Sequence, residues 1–270
     1  MTTQPPPKAF ECVRMIERQG KPRTSGITYA RDRGIGLGVL EGMLELFGEY
    51  IDILKLSGFS DRLMSKELIL KKIELCRKYN VEVGLGGVML EHALLQGPRV
   101  VKDFLKETQD MGIACIEVCR QVIIISLSHL LDVTHLINEH DIKPIAEVGV
   151  AYGISPDEEV YVDETKLIET MRRFHEAGAW KVLLESEGIT ESRYKKDWRW
   201  DVVSKVANTL DIEYLMFEAD DRDVYTRYIK DYGPDVNLFV DITRVVHLEG
   251  SRRGGWGKHP VVNRVATFYR

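Results

Sequence analysis

From Gly26 onward, short runs of β-branched and aliphatic residues alternate with longer stretches whose apolar positions recur at helical period. That alternation is the signature of repeated βαβ units feeding a parallel sheet. Runs at 26–30, 51–57, 81–86, 113–119, 142–149, 180–186, 213–219 and 236–241 read as eight strands, each followed by a helical segment, as in Lys66–Tyr79, Pro98–Met111 and Glu164–Ala177. Several helices stop at glycine just before the next strand: Asp110-Met111-Gly112, Glu176-Ala177-Gly178 and Asp231-Tyr232-Gly233-Pro234. Glycine takes the left-handed cap at no steric cost, so these joints belong at the floor of the fold.

Eight βα units predict a single closed (β/α)8 TIM barrel with parallel strands, an architecture that commonly takes about 250 residues. The competing arrangement, an open doubly wound sheet binding a nucleotide, calls for a glycine fingerprint after the first strand. Gly34-Ile35-Gly36-Leu37-Gly38 does not have that order. The first 20 residues carry Pro5, Pro6 and Pro7 and little periodicity. Residues 1–20 are therefore expected to be an arm, flexible or packed on a neighbour, and 21–270 the barrel domain.

Composition narrows the partners. A net charge of -5 with 29% charged residues gives no large basic field for a nucleic-acid backbone or an anionic membrane surface. No apolar run approaches the ~20 residues that cross a bilayer. Cys12, Cys76, Cys115 and Cys119 lack paired CxxC spacing, and no secretory segment precedes them, so they read as reduced thiols in a cytoplasmic protein. The expected partners are small molecules, with neither nucleic acid nor membrane involved.

Catalytic groups of such barrels come from the C-terminal ends of strands. Here four consecutive strands end in a glutamate: Glu117, Glu147, Glu185 and Glu218. Carboxylates converging on one rim repel one another unless a cation intervenes, which predicts a hard divalent ion such as Mg2+ held by oxygen. The plainer reading of any one of them is an outward-facing side chain paired with a lysine. Lys55 alternates in register with Ile53 and Ser57 and is expected to point into the mouth; Lys181 lies nearer the floor and is expected in a structural ion pair. After the eighth strand, Arg252 and Arg253 sit among glycines where this fold commonly binds phosphate, and they are the expected anion clamp. The histidines in helical segments, such as His92, His129 and His175, form no HxxxH pattern, and Cys115 and Cys119 read as core residues.

These residues, together with Lys21-Pro22-Arg23, Tyr50-Ile51-Asp52, Gly86-Gly87, Glu147-Val148-Gly149, Gly233-Pro234 with Val236-Asn237-Leu238, and Leu248-Glu249, resemble the phosphosulfolactate synthase family over nearly the whole chain from Lys21. That family includes archaeal enzymes of coenzyme M biosynthesis and plant heat-stress-associated relatives. The resemblance implies a carbon-sulfur lyase: Mg2+-dependent addition of sulfite to C3 of phosphoenolpyruvate, giving (2R)-phospho-3-sulfolactate. By family position Lys55, Glu147 and Glu185 would be catalytic, and Glu117, Glu147, Glu185 and Glu218 would form the metal shell. Asn237, Arg252 and Arg253 would bind substrate, and a homo-oligomer is implied.

The chain also departs from the family pattern. Val150-Ala151-Tyr152 stands where the archaeal enzymes carry lysines, so a candidate general acid is missing. Val118-Cys119-Arg120-Gln121 replaces an acidic, glycine-containing turn, which shifts the anion site toward Arg120 or alters the substrate. The segments from Phe217 to Asp221 and from Tyr232 to Asp241 are nearer the plant-type members. Two alternatives therefore stay open, a diverged enzyme using another carboxylate substrate and a non-catalytic, stress-related barrel.

Overall fold

The computed structural model describes residues 8–57, 59–149, 163–191 and 198–255. Eight parallel strands, β1 (Thr28–Asp32), β2 (Ile53–Leu56), β3 (Glu82–Leu85), β4 (Cys115–Val118), β5 (Lys143–Val148), β6 (Lys181–Leu184), β7 (Leu215–Glu218) and β8 (Leu238–Asp241), close in sequence order into one barrel. The outer ring is α1 (Leu37–Phe47), α2 (Ser60–Leu63), α3 (Lys66–Lys78), α4 (Gly87–Gln96), α5 (Pro98–Met111), α6 (Leu127–Asn138), α7 (Glu164–Glu176), α8 (Trp200–Thr209), α9 (Arg222–Tyr232) and α10 (Val245–Arg252). Among the described residues no helix is long and apolar enough to cross a membrane.

Period 2 sorts each strand into two faces, and the two faces make two cores. Outward residues such as Leu54, Leu56, Ile116, Ala146, Leu184 and Phe217 join the helices in the larger core. Inward residues Tyr29, Ile53, Cys115, Ile145, Leu183, Met216 and Phe239 fill the barrel interior as a separate cluster. On β3 the inward position is Gly84, because a Cβ there would lie 2.4 Å from Cys115 Sγ.

Two steps beyond each inward apolar residue, the same strand presents a polar one. Tyr29 is followed by Arg31, Ile53 by Lys55, Cys115 by Glu117, Ile145 by Glu147, Leu183 by Glu185, Met216 by Glu218 and Phe239 by Asp241. The apolar layer thus acts as a plug beneath a polar rim.

The floor is closed by residues 8–20 and the end of α10. Residues 8–20 pack here on their own barrel. Arg18 is buried, pairs with Glu249 and donates to Gly26 O at 2.6 Å. Ile16 N donates to Arg253 O at 3.4 Å, and Lys8 Nζ reaches Glu49 at 2.7 Å. The expected ion pair of Lys181 is replaced by backbone: its ammonium donates to the carbonyls of Glu213 and Thr24. Carbonyls just before β1 and β7 are the unpaired acceptors of a barrel floor, and a buried lysine satisfies them.

Candidate active site

The rim residues face a cavity of about 240 Å3 at the C-terminal end of the strands, whose lining includes Arg31, Lys55, Glu117, Glu147, Glu185 and Glu218. A larger cavity of about 600 Å3 opens on the floor. There Arg23 is paired with Asp52 at 3.0 Å and Lys143 with Glu82 at 2.8 Å, so charges neutralise one another instead of converging on a ligand. The mouth is where unlike and like charges are crowded together.

Lys55 Nζ lies 2.6 Å from Glu117 Oε2, both side chains being buried. The ammonium also stands 4.3 Å from the ring centre of Phe239. Burial alone would pull its pKa down, but Glu117 and Glu147 outweigh that and hold it above its ordinary value. Lys55 is therefore a permanent cation. Arg31 is the second: its guanidinium stacks over Phe239 at 4.7 Å, donates to Glu218 Oε1 at 2.9 Å and pairs with Asp220.

The carboxylates of β5, β6 and β7 touch one another. Glu185 is hydrogen-bonded to both Glu147 and Glu218, and burial, the Glu218 hydrogen bond and the neighbouring negative charges push its carboxyl up to about 12. Burial and then Glu117 push Glu147 up to about 7. Burial opposes ionisation of Glu218 too, but the hydrogen bond from Glu185 and the charges of Arg31 and Lys55 more than offset it, holding this carboxyl below its usual range. The cluster behaves as one unit that shares protons, with Glu185 as the acid and Glu218 as the anion.

Among the described residues, no three potential ligands already stand in metal-ligating geometry. The donor chemistry nevertheless suits a hard divalent ion: oxygen ligands only, buried, with more negative charge than Lys55 and Arg31 balance. Protons on Glu185 and Glu147 meet the same need that a cation would. Glu147, Glu185 and Glu218 are the residues able to hold it, with Glu117 beside them.

The structure brings together Lys55, Glu117, Glu147, Glu185 and Glu218, as expected from strand-end position. It corrects the anion clamp. Arg252 is fully buried at the floor, donating to Pro234 O at 2.6 Å and Ile27 O at 3.4 Å, both ahead of the strands they lead into. Arg253 is held by Glu249 at 2.7 Å, and Asn237 bonds the backbone of Ile27, Glu213 and Leu215. All three are the barrel's lower seal, because α10 has by then carried the chain back down. Arg120 is exposed and lines a small crevice outside the mouth that shares Gln121, Glu147 and Glu185 with it. Val150-Ala151-Tyr152 lies outside the described residues.

Two residues at the mouth escape the strand-end glutamate pattern. Arg31 belongs to a β1 that runs two residues further than its apolar pattern, and period 2 from Tyr29 is the signal that places it inward. Gln121, whose amide donates to Glu147 Oε1, sits in a loop with no periodic signal.

A parallel barrel with a buried carboxylate cluster and two cations at its C-terminal mouth has its polar groups where enzymes of this fold place their active sites. The family model of (2R)-phospho-3-sulfolactate synthase (ComA) matches residues 16–258, and the chain belongs to that family. It is 30% identical over 262 residues to Protein HEAT-STRESS-ASSOCIATED 32 of Arabidopsis thaliana, covering 90% of this chain and 91% of that protein. It is 25% identical over 244 residues to the phosphosulfolactate synthase of Methanothermobacter thermautotrophicus, covering 88% of this chain and 92% of the other. Among solved structures, the carboxyl transferase domain of Rhizobium etli pyruvate carboxylase with 3-bromopyruvate superposes with a TM-score of 0.57 at 13% identity, over 90% of this chain and 46% of that one, a likeness of fold alone.

Proposed function

We propose that this protein is a carbon-sulfur lyase that adds sulfite to phosphoenolpyruvate to give (2R)-phospho-3-sulfolactate, with Mg2+ as cofactor. The observation that carries the reading is the buried Lys55–Glu117 pair set beside the proton-sharing Glu147, Glu185 and Glu218 in one cavity. Family membership supports the reaction class.

The sulfur lone pair forms the C–S bond at C3, and the displaced π electrons move toward C2 and onto the carboxylate as an aci-carboxylate. A proton added at C2 completes the addition. Lys55 and Arg31 are fixed cations at the mouth and stabilise the carboxylate more as its charge grows, which lowers the barrier. Bound Mg2+ would supply Lewis-acid stabilisation of that same charge. Glu147, with its pKa near neutrality, is the residue suited to deliver the proton to C2, which leaves Glu185 and Glu218 to hold the cation. With Arg252 and Arg253 on the floor, the anion-binding role at the mouth falls to Arg31, paired with Glu218 and Asp220, and the exposed Arg33, paired with Asp241 at 3.2 Å, which would exchange carboxylate partners for the substrate anion.

Incubation of the purified protein with phosphoenolpyruvate, sulfite and Mg2+, followed by mass spectrometry, tests this directly. The adduct is expected, and is expected to vanish with EDTA and in Glu147→Gln. A folded protein that yields no adduct overturns the proposal. The 30% identity to the heat-stress-associated protein supports a second reading, a diverged member with another carboxylate substrate or none. Thermal-shift screening of small phosphorylated and unphosphorylated acids separates its two forms.

A further inference from the structure

Glu91 is 1% exposed on the second turn of α4, and no basic side chain among the described residues lies within ion-pair distance of it. A buried carboxylate without a cation is costly unless hydrogen bonds replace water. Glu91 collects four, all from the stretch after β4. Its Oε1 accepts from Cys119 Sγ at 3.0 Å and Gln121 N at 3.0 Å; its Oε2 accepts from Val122 N at 2.7 Å and Ile123 N at 2.8 Å. Three successive backbone N–H groups thus curl around one carboxylate, the arrangement of an anion nest whose anion is supplied by the protein.

The nest fixes a loop that otherwise has little to hold it, since Val122 and Ile124 project into solvent. Gln121 is the link. Its backbone N–H is bound to Glu91, and its side-chain amide donates to Glu147 Oε1 inside the mouth. α4 reaches the loop because it starts at Gly87, where a Cβ would stand 2.3 Å from Cys119 Sγ and 3.1 Å from Glu117 O.

We infer that Glu91 is a positioning residue for Glu147, acting through the nested loop and Gln121. Its kinetic consequence rests on the proposed role of Glu147 in proton delivery, whereas its structural consequence does not. Glu91→Gln keeps the size of the side chain but replaces one acceptor with a donor that faces N–H groups.

The test is NMR of the Gln121 side-chain amide, assigned with Gln121→Ala, in the wild type and in Glu91→Gln. Expected in the variant are loss of the hydrogen-bonded signature of that amide and exchange of the 121–123 backbone amides faster by about tenfold or more. A signature and exchange rates unchanged in the variant overturn the inference, whatever the activity. Should Glu91→Gln fail to fold, Glu91→Asp is measured in its place, with the same loss expected from a carboxylate one methylene too short. With sulfite and phosphoenolpyruvate, Glu91→Gln is expected to lower kcat about tenfold while KM stays within about twofold, and to add nothing further in a Gln121→Ala background. Additive losses would mean that Glu91 acts by another route and would overturn the inference. Wild-type protein that is inactive in the same assay would sink the proposed reaction, and the NMR result would still decide the role of Glu91.

Discussion

Lys55 and Arg252 are both buried cations in this barrel, and their surroundings assign them opposite duties. Lys55 faces a carboxylate and open cavity, so its charge is available to a ligand; Arg252 faces backbone carbonyls and is used up by them. Lys55→Met is expected to cut turnover by roughly 100-fold or more and to destabilise the fold by about 3–5 kcal/mol, because Glu117 is left buried without its partner. Adding Glu117→Gln should recover most of that stability but none of the activity, as read by denaturant unfolding and by adduct formation. Arg252→Ala should cost about 2–4 kcal/mol through unpaired carbonyls and lost packing, with KM for phosphoenolpyruvate unchanged; a large rise in KM would restore the clamp reading. The glutamates were legible because strand-end position and period 2 fix direction. Arg252 and Arg253 were misplaced because α10, eight residues rising about 1.5 Å each, carries the chain roughly 12 Å away from the rim, a distance that local composition does not reveal.

Among the elements, α4 does most to shape the mouth and left little trace in the apolar pattern. That pattern singles out Pro98–Met111 after the third strand, and α5 forms over those residues, but α4 is inserted ahead of it with glycines at both ends. Gly86-Gly87 carries a meaning visible only in three dimensions: the helix start presses on β4 so closely that no side chain fits. Gly87→Ala is expected to destabilise by about 1–3 kcal/mol, since a 2.3 Å approach to Cys119 Sγ outweighs the small gain in helix propensity at a first-turn position. Cys119→Ala in the same chain should relieve part of that loss and leave the part due to Glu117 O, measured as a double-mutant cycle in unfolding free energy. The strand order and the eightfold count were readable because each unit repeats the same alternation. The displacement of β1 to Thr28–Asp32 was not, since Arg31 and Asp32 look like the end of a strand until the fold supplies them with partners, Arg31 in the barrel mouth and Asp32 on the outer face against α3. Asp32 finds Lys72 of α3 at 2.6 Å, both fully buried, and the amides of Gly34 and Ile35 at 2.7 Å.

For the whole molecule, the rim makes stability a function of pH. Burial pushes Glu191, which accepts from Asp221 N at 2.7 Å, up to about 7 from an ordinary value of 4.5. Between those values the folded chain holds a proton that the unfolded chain has released, so stability falls as pH rises through the window and is level above it. The loss is on the order of 3 kcal/mol, and Glu191→Gln should flatten that part of the profile in denaturant titrations. The same sign governs cation binding at the cluster: the Glu185 carboxyl is raised and must give up its proton before it can ligate a metal, while Glu147 is reserved as the proton donor to C2. Mg2+ at one fixed concentration, about a hundredfold over its dissociation constant at pH 8, should raise the melting temperature there by roughly 5–10 °C, and by less at pH 6, where its dissociation constant is larger. Glu185→Gln replaces a carboxyl that is already neutral, so the variant should fold with near-native stability and yet lose the Mg2+-dependent rise. A rise of equal size at both pH values, or one that survives Glu185→Gln, would mean that the cation binds without displacing that proton and would move the metal away from the carboxylate cluster.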